Sequence, residues 1–163
     1  MTRVKGFTLI ELMVVLAILA IVAFIAVPNL STLIRDNRAE SQAEELNALL
    51  QYARSEAVIR KIDTFVIIDA STGVVEVRAN AAGGTKLRSS TLQTGNNISL
   101  DTTAGQLSYR FNGTATPANF RAVICVEGNA ATGRLITVSA SGSTVLHHKG
   151  KNADGNALGS CSV

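Results

Sequence analysis

Four groups of residues in this chain of 163 carry side chains that could do chemistry. Glu11 is a single carboxylate inside an apolar run from Phe7 to Val27. At the centre of a membrane helix such a charge costs about 3 kcal/mol, and it becomes tolerable when it meets a positive partner. Cys125 and Cys161 are the only two cysteines; in an oxidising compartment they would form a disulfide, and otherwise they remain two thiols. His147 and His148 are adjacent, and on a strand neighbours point to opposite faces, so the two could not easily share a metal ion. Arg134, Lys149 and Lys151 lie around the last expected hairpin and the tail, where they could contact phosphates if they converge; scattered solvated charge is the simpler reading. None of these groups makes a catalytic constellation. Gly83-Gly84-Thr85-Lys86 lacks the P-loop spacing, and neither a G-x-S-x-G elbow nor an H-E-x-x-H helix occurs. The sequence calls for no enzyme activity and no cofactor.

The elements that must position these residues begin with the apolar run. Phe7 to Val27 is 21 residues, about 31 Å as a helix, which matches a bilayer core. Arg3 and Lys5 precede it and no basic residue follows until Arg35, so the leader stays in the cytoplasm and the remainder is exported. A cleaved secretory signal would need a small-x-small site near the end of the run. Instead Ala17, Ala20, Ala23 and Ala26 recur every third residue, a spacing that suits close helix neighbours or is plain helix-forming composition. A simple single-pass anchor explains the span but leaves Glu11 without a purpose. Pro28 lacks an N–H and crowds the carbonyl of Phe24, so a kink or loosening is expected there.

Beyond Pro28 the pattern stays helical to about Lys61. Leu30, Leu33, Ile34, Leu46, Leu49, Leu50, Ala53 and Ala57 recur at three and four spacing, with charges on other faces; the heptad is not sustained enough for a coiled coil. From Ile62 short β-type runs take over: Thr64 to Ile68 and Val74 to Arg78 as a hairpin, then Leu107 to Phe111, Phe120 to Val126, Leu135 to Ser139 and Thr144 to His148. Tyr109 and Phe111 are expected on one core-facing side of their strand, Gly133-Arg134 ahead of the next, and residues 80–97 as an irregular surface excursion. The formal charge of +3 includes Arg3 and Lys5. From Ile62 onward eight basic residues face six acidic ones, too even a balance to demand a nucleic-acid partner.

The heptapeptide Gly6-Phe7-Thr8-Leu9-Ile10-Glu11-Leu12, behind a short basic leader and ahead of Pro28, resembles the type IV pilin and pseudopilin family. The resemblance implies that a prepilin peptidase cuts after Gly6 and methylates the new amino terminus of Phe7. It also implies that Glu11 serves assembly, pairing with the amino group of a neighbouring subunit's Phe7. The stretch from Tyr109 through Phe120 to Cys125 and on to Leu135 to Gly142 resembles the GspH/FimT-type head of minor pilins and minor pseudopilins. The fold expected is therefore α+β: a cleaved leader (1–6), a long N-terminal spine helix (7–61, membrane-spanning over 7–27) and a small antiparallel β-sandwich head (62–163). The implied function is a minor pilin that helps prime a type IV pilus and stays near its tip. Other minor and major pilins are its expected partners, and it is held in the inner membrane with its head in the periplasm before assembly. A minor pseudopilin of a type II secretion system is the alternative. A DNA receptor for transformation is a third reading, which in such heads uses an arginine after the serine-glycine turn. Here that position reads Ser141-Gly142-Ser143-Thr144, and the missing arginine counts against it.

Overall fold

The computed structural model describes residues 7–95 and 97–163, with residues 25–29 as backbone only. The expected leader, with Gly6, lies outside the described residues. One helix, α1 (Leu9–Arg60), is followed by nine strands: β1 (Thr64–Asp69), β2 (Val74–Ala79), β3 (Lys86–Thr91), β4 (Ile98–Thr102), β5 (Gln106–Tyr109), β6 (Ala115–Thr116), β7 (Phe120–Val126), β8 (Asn129–Val138) and β9 (Thr144–Leu146). The chain divides into two compact units, Met1–Arg35 and Asp36–Val163.

In the first unit the described large apolar side chains, among them Leu9, Leu16, Leu19 and Phe24, are all exposed. Among the described residues no helix is long and apolar enough to cross a membrane. Of the expected span from Phe7 to Val27, side chains are described from Phe7 to Phe24. The remainder of the expected span, residues 25–27, carries no described side chains. The helical backbone continues through Pro28.

The second unit holds the core. Ala39, Ala43, Leu46, Leu49, Leu50, Ala53 and Ala57 of α1 are buried. The four alanines in that stripe let the helix backbone come close to the strands beneath it. One sheet has the order β3-β2-β1-β5-β6 and the other β4-β7-β8-β9, with antiparallel pairing throughout. Two rows of polar contacts fix the helix across both sheets. On one side Glu45 bonds to Ser90, the Gln42 side chain accepts from the backbone N–H of Gln93, and Arg88 lies over the Tyr52 ring. On the other Glu40 pairs with Arg134 and Asp36 with Lys149. The hydroxyl of Thr64, buried on β1, donates to the Ala53 carbonyl between them.

Strand β7 shows why the longest apolar run of the head was readable. Phe120, Ala122, Ile124 and Val126 enter the main core, while Val123 and Cys125 face a second cluster with Leu135 and Leu158. A strand covered on both faces has no polar alternation to show. The expected β1–β2 hairpin forms, with Asp69 opposite Val74. The Asp69 carboxylate accepts from Ser71 and Thr72, which holds its pKa down at about 2.

Several expectations are corrected. Residues 80–97 are not an irregular excursion: β3 lies within them as an edge strand paired to β2, and Leu92 is buried. Its burial pattern has only two half-covered positions, Leu87 and Ser90, so no period-two signal announces it. Strand β8 starts at Asn129, placing Gly133 and Arg134 inside it. Strand β5 ends at Tyr109, which is buried, while Phe111 is 58% exposed beyond it. The two aromatics therefore do not share a core face. Strands β4 and β6 were not expected either.

Candidate functional site

Helix α1 starts with a reciprocal pair of hydrogen bonds. The Glu11 amide donates to the Thr8 hydroxyl at 3.3 Å, and the Thr8 amide donates to Glu11 Oε2 at 3.5 Å. Thr8-x-x-Glu11 is thus a capping box, which satisfies two of the amides that a helix start leaves open. The signal stands in the sequence, though the apolar surroundings of Glu11 drew attention to its charge instead. The same geometry turns the carboxylate back toward the helix amino end, where the macrodipole favours negative charge. It therefore points toward the region of Phe7, where cleavage after Gly6 would create an amino group.

The two cysteines form a disulfide, with the sulfurs 2.07 Å and the α-carbons 6.0 Å apart. Cys125 is buried on the outer side of β7. Cys161 reaches it from the tail together with Leu158 and Val163, and the Val163 amide donates to Asp101 at 3.0 Å. A Cβ at Gly133 would stand 2.5 Å from the Leu158 side chain, so the tail packs directly on β8 at a residue without one.

The three basic residues singled out in the sequence do not stand together as a free patch. Arg134 pairs with Glu40 and Lys149 with Asp36, the latter at 2.5 Å, while Lys151 is exposed at an isolated bridge with Ala157. His147 shares a hydrogen bond of 2.9 Å with the Thr137 hydroxyl. Desolvation, then Arg121 and His148, push its pKa below the usual histidine range. Among the described residues no three His, Cys, Asp or Glu side chains are grouped to hold a metal ion.

Arg54 is the site residue that sequence reasoning missed. It donates to the carbonyls of Gly113 and Ser141, at 3.2 and 3.0 Å, and so ties the β5–β6 and β8–β9 turns to α1. On a helix with charges along its outer face, nothing in the residue pattern marks one arginine as bonded inward. The burial of Tyr109 belongs to the same arrangement. Its hydroxyl lies 3.3 Å from the Thr144 hydroxyl, and burial raises its pKa.

Comparison with known proteins places this arrangement. The type IV minor pilin FimU of Pseudomonas aeruginosa strain PAO1, in a P21 crystal form, superposes with a TM-score of 0.66 at 28% identity, covering 77% of this chain and 96% of that one. Its P65 form gives 0.62 at 28% identity, covering 75% and 98%. The minor pseudopilin EpsH of the Vibrio cholerae type 2 secretion system shares the fold, with a TM-score of 0.58 at 22% identity over 70% and 99%. No curated protein matches the sequence significantly. The prokaryotic N-terminal methylation motif matches residues 1–27. With the profile of the type II transport protein GspH matching residues 42–142, over an α-helix and two antiparallel sheets, the chain belongs to the GspH family.

Proposed function

We propose that this chain is a structural subunit, a minor pilin that helps prime a type IV pilus and is incorporated near its tip. The observation that carries this reading is a methylation motif over residues 1–27 on the same chain as a head that superposes on a minor pilin at 28% identity. The minor pseudopilin of a type II secretion system is the second reading, favoured by the GspH profile itself. The pilus is preferred because likeness to the pseudopilin is lower in both identity and superposition.

In this reading a prepilin peptidase removes residues 1–6 and methylates Phe7. The segment 7–27 then holds the subunit in the inner membrane with the head in the periplasm, and Pro28 lets the helix loosen as it leaves lipid for the filament. Glu11, already turned toward its own helix start, pairs with the amino terminus of a neighbouring subunit. The partners are other minor and major pilins, and no catalytic role is assigned.

Two substitutions test this. Gly6→Asp should leave an uncleaved membrane precursor, read by amino-terminal sequencing; a normal terminus at Phe7 would overturn the processing assignment. Glu11→Ala should still fold and insert, since it removes a charge from lipid, yet restore surface pili poorly in a deletion strain. If piliation is intact while protein secretion falls, the pseudopilin reading replaces the pilus one.

A further inference from the structure

Among the described residues of the unit Asp36–Val163, four large apolar side chains are exposed: Val58, Ile59, Phe111 and Val145. Three of them gather at one end of the head. Val58 and Ile59 occupy the last turn of α1, at 47% and 75% exposure, and Phe111 follows β5 at 58%. The Phe111 amide donates to Asp63, just past the helix, and a Cβ on Gly113 would stand 3.3 Å from the Val58 side chain. These contacts bring the β5–β6 turn against the helix end. Beside them opens a groove of about 650 Å³, lined by Val58, Ile59, Asn112, Gly113, Gly142 and Ser143 among others. Arg54 holds the two turns that form its wall, so the surface is set before any partner arrives.

The charge at this end has a positive excess. Arg60, Lys61 and Arg110 are exposed there, and Arg54 is half-buried, against Glu56 and Asp63. Glu56 is engaged by Arg60. A partner segment that brings an apolar side chain flanked by carboxylates would complement both features. A second copy of this chain would not supply them from the opposite end of its head segment of α1, because the carboxylates there, Asp36 and Glu40, are engaged by Lys149 and Arg134.

We propose that the end of the head formed by the last turn of α1 and the β5–β6 and β8–β9 turns docks the head of a different filament subunit, through an apolar residue flanked by aspartate or glutamate. This rests on the filament reading above. The exposed apolar groups become covered in that interface, and the local positive charge selects the partner, since unlike potentials steer association and like ones oppose it.

The test uses the full chain in cells that assemble the filament, with a photo-crosslinking amino acid at Ile59 or Phe111, and at Val145 as control. Expected are adducts from positions 59 and 111 with another filament subunit, mapped by mass spectrometry to a segment bearing Asp or Glu, and none from position 145. Combining Lys61→Glu with Arg110→Glu should lower adduct yield at least fivefold while the chain still reaches sheared filaments. The proposal is overturned by adducts with a second copy of this chain, by equal yield from position 145, or by indifference to charge reversal. A chain present in filaments without adducts at 59 and 111 overturns the docking alone. A chain absent from filaments overturns the filament reading, and the docking with it.

Discussion

Gly142 is a residue where backbone conformation and contact both forbid a side chain. Its φ is +77°, and a Cβ there would stand 1.9 Å from the Gly113 carbonyl oxygen, the same oxygen that accepts from Arg54. Left-handed φ alone costs a non-glycine residue about 1 kcal/mol or somewhat more. Gly128 isolates that cost, because its φ is +66° and a Cβ there would meet open space. Gly142→Ala should therefore destabilise by at least about 2 kcal/mol, clearly more than Gly128→Ala, since only the first must also push the two turns apart. Urea titration of both variants decides this, and equal midpoints would remove the contact from the account. Arg54 depends on the same closeness: its two hydrogen bonds reach both turns only while Gly142 lets them touch.

At the scale of elements, the tail from Gly150 onward is held by packing, scattered hydrogen bonds and one covalent bond rather than by strands or helices. Leu158 and Cys161 cover the outer side of β7 and β8, and the disulfide closes a loop with a sequence separation of 36. Such a cross-link stabilises by about 4 kcal/mol in the chain-entropy model. Cys161→Ser in the full chain should lower the melting temperature by several degrees and raise hydrogen exchange first at the Leu158 amide, which donates to Gly150. Unchanged melting with and without reductant would sink this. The sequence revealed elements in proportion to how their faces are covered. Helix α1 was readable to within a residue of its end because its buried stripe runs unbroken from Leu46 to Ala57. Strands β1, β2 and β7 were readable because they bury alternate or successive apolar residues. Strand β3, Lys-Leu-Arg-Ser-Ser-Thr, is an edge that hydrogen-bonds through its backbone while its side chains stay largely exposed, and backbone pairing leaves no mark on composition. The N-terminal methylation motif was readable because it is contiguous. The roles of Arg54, Arg134 and Lys149 were not, because each depends on a partner between 59 and 113 positions away.

Across the whole molecule the question that charge can settle is whether the head takes nucleic acid. Its excess from Ile62 onward is two positive side chains, and two of the three basic residues nearest the final hairpin and tail are joined to carboxylates of α1. Binding through phosphates grows with the number of cations free to release counterions and falls steeply with salt. We therefore expect weak DNA binding that vanishes near physiological ionic strength. Asp36→Asn with Glu40→Gln should strengthen it at low salt and steepen the salt dependence by about one for each cation released, because Lys149 and Arg134 lose their partners while the backbone stays in place. Fluorescence titration of the full chain in detergent, across a salt series, measures both. Low-micromolar affinity at physiological salt in the unaltered chain, lost on charge reversal at Arg134, Lys149 and Lys151, would make a DNA receptor the better reading. The ion pairs would then be contacts that DNA exchanges rather than joints that hold the helix to the sheet.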